Sequence, residues 1–377
     1  MKIVVTAGGG GHFAPALSLI QAMPKDWDVL LIGRKYAFEA DKTISLEYET
    51  AKSLGIPFRS LTTARLQRKF TRYTLTSLLK FPKGFYEAFS VLKTYRPNLI
   101  VSFGGYVSVP VVMAAALLRI PVVVHEQTFH AGLSNKINAY FAKYVCVSWE
   151  ESKASFPKRK TVLTGNPLRI AMMDKKDFFG KNPLSASDAA LPLLFITGGS
   201  LGSHPINVLI EGCLEKLLEK YVIVHQTGDA QEYKDFDWLA EKKAMLPLPL
   251  QKRYVVTKFV DPKEIGSVYR KTTLVICRAG INTVSELLYF GKPALLIPLA
   301  FSGKDEQRTN ALFFKKQGLG EVFEQKNLTS DKLYEHIRSM VEHKDLYEKH
   351  ATLARSKIIP EAVENILAVC EQSLHEK

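Results

Sequence analysis

Two stretches of this chain carry residue types and spacings that can do chemistry. The first is a lone histidine closing a glycine run, Gly8-Gly9-Gly10-Gly11-His12. Glycines let a backbone approach a ligand closely or take positive φ. A histidine can accept a proton near neutral pH, which makes His12 a candidate general base; a lone histidine also serves structure. The second stretch runs from Cys277 to Asn310. Leu274 to Cys277 is short and apolar, Ala279-Gly280 breaks it, and Asn282-Thr283-Val284-Ser285-Glu286 opens a helix. Asn282, Thr283 and Ser285 can cap backbone N–H groups there. The same helix end carries partial positive charge and can seat a phosphate. Glu286 is an anion and suits ribose hydroxyls instead. A second apolar run, Ala294 to Pro298, leads to Asp305 and Gln307, which can bond the next part of one ligand. Base, ribose, diphosphate and sugar, in that order, describe a nucleotide sugar. An ordinary strand–helix–strand unit with a capped helix reads the same way.

The elements that must position these residues alternate between strand and helix. Lys2 to Ala7 is a strand that feeds the glycine run, and a helix follows with Pro15 at its start. Further strands are read at 28–33, 97–103, 121–125, 145–148 and 161–164, with helical character over 40–54. Two of the strand ends carry polar or glycine turns: Gly104-Gly105-Tyr106-Val107-Ser108, and His125-Glu126-Gln127-Thr128 with the helix opened by Gly132 to Asn135. Thr164 to Arg169 reads as a crossing between domains. The pattern then restarts with a strand at 193–197, a third glycine turn at Gly198 to Ser203, a helix over 206–220, strands at 222–226 and 253–257, and the Cys277 unit. Such alternation predicts an α/β protein of doubly wound parallel sheets. The predicted domains are 1–163 and 164–345, with 346–377 as terminal helices returning to the first.

At 377 residues the chain suffices for two domains. Its net charge of +14 points to an anionic partner. Residues 65–96 hold eight Lys or Arg and one acid, Glu87, interleaved with aromatic and leucine positions. Arg72, Leu75, Leu78, Leu79, Lys80, Phe81 and Lys83 fit a patch for an anionic membrane surface. A core helix with a solvated basic face fits as well, and nucleic acid is a third reading without a supporting motif. Cys146, Cys213, Cys277 and Cys370 are far apart and read as buried free thiols. Asp26-Trp27-Asp28 and Asp235-Phe236-Asp237 match a metal-holding pattern of some sugar transferases, but neither follows a strand into a glycine turn, so both read as surface residues and no metal site is expected. The N-terminus does not read as a signal peptide, and the longest apolar stretch, 107–118, is too short to span a bilayer. The expectation is a cytoplasmic protein with at most peripheral membrane contact.

Taken together, the motifs resemble the bacterial cell-wall N-acetylglucosaminyltransferases that convert lipid I to lipid II. The matching stretches, in order, are Gly8 to His12 with Pro15, Gly104 to Ser108, His125-Glu126-Gln127, Gly132 to Lys136, Gly165-Asn166-Pro167-Leu168-Arg169, Gly198-Gly199-Ser200, His225 to Gly228, Arg278-Ala279-Gly280 with Thr283 to Glu286, and Asp305 with Gln307 and Asn310. The resemblance implies a GT-B fold, two Rossmann-like domains facing a cleft. It implies inverting transfer of N-acetylglucosamine from UDP-N-acetylglucosamine, with no cofactor, onto the C4 hydroxyl of the undecaprenyl-linked muramyl sugar at the cytoplasmic face of the membrane. It places Gly9, Gly10, Gly11, Thr128, Arg169, Ser200, Val260, Ile281, Asn282, Thr283, Val284, Ser285, Glu286, Asp305 and Gln307 on the donor: Arg169 and Ser200 at the diphosphate, Val260 at the uracil, Glu286 at the ribose, Gln307 and Asp305 at the sugar. Gly104, Gly105, Tyr106, His125, Glu126 and Asn135 fall to the acceptor, and His12 to the base.

This chain departs from the family pattern at Gly9, Thr128, Leu201 and Asn282. Gly9, Thr128 and Leu201 stand where polar groups around the donor sugar or acceptor are expected, and Ile281-Asn282 replaces an Ala-Leu pair; UDP recognition is left intact. Two other activities fit the same architecture: a related transferase moving another UDP-sugar to another lipid, and a UDP-sugar epimerase. A nicotinamide dehydrogenase does not fit, because no Gly-x-Gly-x-x-Gly with a downstream ribose acid occurs.

Overall fold

The computed structural model describes residues 1–36, 44–62, 72–169, 172, 176–199, 202–230, 232–299 and 305–375, without side-chain detail at 10 and 72–80. The chain forms two units. The first comprises Met1–Leu168 and Ile359–Lys377; the second is Arg169–Ile358.

The first unit holds seven parallel strands: β1 (Lys2–Thr6), β2 (Asp28–Gly33), β3 (Phe58–Ser60), β4 (Leu99–Ser102), β5 (Val122–Glu126), β6 (Tyr144–Val147) and β7 (Thr161–Leu163), in the order β3-β2-β1-β4-β5-β6-β7. The second holds six: β8 (Leu193–Thr197), β9 (Val222–Gln226), β10 (Tyr254–Thr257), β11 (Leu274–Cys277), β12 (Ala294–Leu296) and β13 (Gly320–Val322), in the order β10-β9-β8-β11-β12-β13. Both sheets thus share the doubly wound 3-2-1-4-5-6 order, and each reverses beside its first strand, which is where such sheets bind ligands. The central strands are continuous apolar runs because helices cover both faces: Ile3 to Val5, Val123 and Val124, and Leu194 and Ile196 have no measurable exposure.

Several sequence boundaries move. The first unit extends to Leu168, not 163, and takes back only the chain from Ile359. The helix Ala362–His375 lies against β4, β5 and β6, whereas the helix Ala351–Arg355 lies against the helix Ile281–Phe290 of the second unit. The first helix begins at Gly10 and carries Pro15 inside it rather than at its start. The helix expected over 206–220 is two, His204–Glu211 and Leu214–Leu218, because Gly212 sits tight against Ser330. Between 40 and 54 the helix is Leu46–Ser53, capped by Ser45; residues 37–43 lie outside the described ones. The short edge strands β3 and β13 had no alternation long enough to read.

Candidate active site

In the first unit, the turns after β1 and β4 close on each other. The Gly8 N–H donates to the Gly104 carbonyl at 3.1 Å. Gly104 and Gly105 have φ of +91° and +81°, and a Cβ on Gly105 would stand 2.7 Å from the Gly8 Cα. These glycines are needed for contact between backbones. Gly9, φ +91°, precedes the helix Gly10–Ala22, and its N–H donates to Glu47 Oε1 at 3.2 Å. The same oxygen pairs with Arg34 Nε at 3.0 Å, and Arg34 Nη1 donates to the Tyr106 hydroxyl at 3.3 Å. A Cβ at Gly9 would meet Arg34 Nη2 at 3.1 Å, so the guanidinium fills the space beside that glycine. Neither Arg34 nor Glu47 was legible as a site residue, because no motif links positions 9, 34, 47 and 106.

His12 sits on the first turn of its helix, partly exposed. Its Nδ1 lies 3.3 Å from Gln127 Nε2. Burial holds its pKa below the usual histidine value, against the opposing charge of Glu126 and a hydrogen bond to the Phe103 carbonyl. The imidazole is therefore neutral at neutral pH, as a general base must be.

Three residues assigned to the acceptor brace the loop from within instead of facing it. His125 is fully buried; its Nε2 meets the Gly165 carbonyl at 3.1 Å and Ser148 Oγ at 3.2 Å. Burial lowers its pKa to about 4. Glu126 is buried too. It accepts from the Thr128 N–H and hydroxyl, the Gly132 N–H and Asn135 Nδ2, all between 2.7 and 3.0 Å. Asn135 also bonds the His125 carbonyl. These bonds explain why the loop after β5 can be polar yet buried. They also engage the Thr128 hydroxyl, which lies 2.8 Å from the His130 carbonyl as well, so that side chain is not directed at a donor sugar. Of the acceptor set, Gly104, Gly105 and Tyr106 remain at the turn.

In the second unit, the helix Ile281–Phe290 starts after Gly280, with no side-chain cap bond. Ser285 donates to the Ile281 carbonyl at 2.9 Å and is fully buried. Ile281 and Val284 are buried, while Asn282 and Thr283 are half-buried at the helix start. Nothing among the described residues lies within 4 Å of a Cβ built on Gly280 or Gly199. Arg169 grips Glu286 through Nη2 at 2.7 Å and Nε at 2.9 Å, and the Tyr269 hydroxyl donates to the other carboxylate oxygen at 3.0 Å. Diphosphate and ribose candidates thus form one ion pair at the edge of an open helix N-terminus.

Gln226, at the end of β9, ties this side together. Its Nε2 donates to Thr197 Oγ1 and the Gly199 carbonyl, and its Oε1 accepts the Val260 N–H at 3.0 Å. Val260 is buried, so its amide is not directed to a base. Asp305 is exposed in the left-handed region, φ +53°, and Gln307 Oε1 accepts the Leu299 N–H at 2.9 Å. Arg278 supports that segment from below through the Ile297 carbonyl and Gln325; burial lowers its pKa to about 10. Ser200 lies outside the described residues. Asp235, expected at the surface, is buried between His204 Nδ1 at 2.6 Å and Asn207 Nδ2 at 2.7 Å. The four cysteines are buried free thiols.

Two doubly wound sheets of matching strand order define a GT-B glycosyltransferase fold. Residues 3–147 match the glycosyltransferase family 28 N-terminal domain and residues 193–366 its C-terminal domain. This chain belongs to glycosyltransferase family 28. A relative from Treponema denticola, named UDP-N-acetylglucosamine–N-acetylmuramyl-(pentapeptide) pyrophosphoryl-undecaprenol N-acetylglucosamine transferase, is 34% identical over 331 residues, 85% of this chain and 84% of that one. One of the same name from Clostridium tetani is 31% identical over 98% of each chain. The crystal structure of Acinetobacter baumannii MurG is similar with a TM-score of 0.70 at 26% identity, covering 99% of this chain and 100% of that one.

Proposed function

We propose that this enzyme transfers N-acetylglucosamine from UDP-N-acetylglucosamine to the C4 hydroxyl of the lipid-linked muramyl sugar of lipid I, giving lipid II for peptidoglycan. Similarity over nearly the whole length of relatives bearing that activity in their names carries this reading. The donor belongs to the second unit. There the start of the helix Ile281–Phe290, whose N-cap is Gly280, receives the diphosphate. Arg169 turns from Glu286 to the leaving phosphate, and Glu286 exchanges the guanidinium for ribose hydroxyls. Asp305 and Gln307 take the sugar. The acceptor belongs to the first unit, at the turns carrying His12 and Tyr106. His12 takes the proton of the attacking hydroxyl as its oxygen bonds to C1. The C1–phosphate oxygen bond breaks, and UDP departs with the electron pair. Cationic charge and helix N–H groups at the departing diphosphate lower the barrier.

We place the enzyme peripherally at the cytoplasmic membrane face, through the helix Arg72–Tyr95. No helix among the described residues is long and apolar enough to cross a membrane. Phe85, Phe89, Ala88 and Leu92 of this helix pack into the core, so the core reading holds for its C-terminal half. Phe81 is half-buried, while Lys83 and Tyr86 are exposed. Sedimentation with anionic vesicles and release by salt tests this contact.

The deciding experiment titrates the protein with UDP-N-acetylglucosamine, UDP-glucose and UDP, then assays transfer to a lipid I analogue. Preferential binding of and transfer from the first is the expected result. Equal binding of all three, without transfer of the acetamido sugar, would overturn it in favour of another UDP-sugar.

A further inference from the structure

Gln127 is a buried side chain against Nδ1 of His12, and no role has been given to it so far. It is 4% exposed. Its backbone carbonyl accepts Trp149 Nε1 at 2.9 Å, which fixes the residue at the end of β5. Its amide reaches across to the glycine turn. Nε2 lies 3.3 Å from His12 Nδ1 and 3.9 Å from a Cβ built on Gly11, while Oε1 is buried with no partner among the described residues.

The two ends of an amide are alike in shape, and their placement follows from the bonds they make. With Nε2 toward His12, Nδ1 must accept, the ring proton sits on Nε2, and the outward nitrogen cannot act as a base. With the amide turned, Oε1 accepts from Nδ1–H. The other ring nitrogen, Nε2, then carries the lone pair; the amide NH2 takes the place of the unpartnered oxygen, so burial does not choose between the two orientations and the base role of His12 does.

We propose that Gln127 is a positioning residue that holds the His12 proton on Nδ1 through its side-chain carbonyl and so presents Nε2 to the acceptor hydroxyl. This rests on His12 being the base. In the transfer, the acceptor O–H proton passes to Nε2, the acceptor oxygen bonds to C1 of the sugar, and UDP leaves with the electrons of the broken bond. The resulting imidazolium keeps its Nδ1–H on the neutral amide. The charged groups facing the ring are Glu126 from β5, Glu47 from the helix Leu46–Ser53 and Arg34 after β2, with neutral His125 behind them.

The test combines 15N NMR of the His12 ring in the intact protein with pH–rate profiles. In the native protein the expected pattern is a protonated Nδ1 and an unprotonated Nε2. Gln127→Met keeps the volume without the carbonyl, and should mix the tautomers and lower kcat about tenfold with little change in donor KM. Gln127→Glu keeps an acceptor and adds a negative charge that favours the imidazolium. It should keep Nδ1 protonated and move the acid limb of kcat to higher pH. An Nε2–H tautomer in the native protein, or an unchanged tautomer and pH profile in both variants, would overturn the proposal. His12→Ala separates the two levels. Near-normal turnover in that variant removes the base reading, while the NMR pattern still decides whether Gln127 sets the tautomer.

Discussion

The two sheets repeat one topology, and each packs glycines backbone on backbone, but only the second leaves two of its turn glycines with open space around them. In the first unit, the turns after β1 and β4 are pressed together, backbone on backbone, and the loop after β5 is stapled by Glu126. Chemistry there is left to side chains that emerge from the closed turns, His12 and Tyr106 among them. In the second unit, Gly198 and Gly202 are pressed as closely, against Ser203 and the Thr227 carbonyl, but Gly199 and Gly280 have no described atom within 4 Å of a built Cβ beyond their chain neighbours. The same strand order therefore accommodates both closed and open turns. Which one results depends on what the glycines touch.

The contrast breaks most readily at Gly105. Gly105→Ala forces a left-handed backbone and a clash with Gly8, and should cost about 3 kcal/mol or more in chemical unfolding. A loss under about 1 kcal/mol would mean the turns are not locked. Next in size is Glu286→Gln. It keeps the shape but removes the charge that holds Arg169 and that we propose for the ribose, and should weaken UDP binding roughly tenfold or more by calorimetry. Its effect on folding should be smaller, since Arg169 is about a third exposed.

Acid sharpens the comparison by testing both units at once. His125 in the first and His225 in the second are buried and neutral, with pKa values lowered by burial to about 4 and about 3. Both lie below the unfolded value near 6.5. Between 6.5 and about 4 the unfolded chain binds protons that the folded chain does not. Stability should therefore be full above pH 6.5 and fall as the pH drops through that window. A urea midpoint equal at pH 7 and pH 5 would contradict it.

The smallest effect on folding is expected at Gly280→Ala. Its φ of −64° suits any residue and its Cβ would meet nothing. Unfolding should change by less than about 1 kcal/mol, while UDP affinity falls as the methyl enters the open turn. A large stability loss there would erase the difference between the two sets of turns.

Much of this was legible from the chain alone. Buried parallel strands such as Ile3 to Val5 and Leu274 to Cys277 are unbroken apolar runs, and glycines at their carboxyl ends mark the turns. Periodicity and turn chemistry are local, so the sequence determined the two α/β repeats, the glycine turns and the sites of His12, Arg169 and Glu286 within them. What it did not carry is which polar groups meet. Arg34 and Glu47 reach Gly9, Gln127 reaches His12 across 115 positions, and Gln226 reaches Val260 across 34. Likewise His125, Glu126 and Asn135 have the residue types of a binding loop, yet their side chains are spent inside it. A polar side chain acts on a ligand or on its own loop according to its neighbours in space, and only the tertiary structure decides those neighbours.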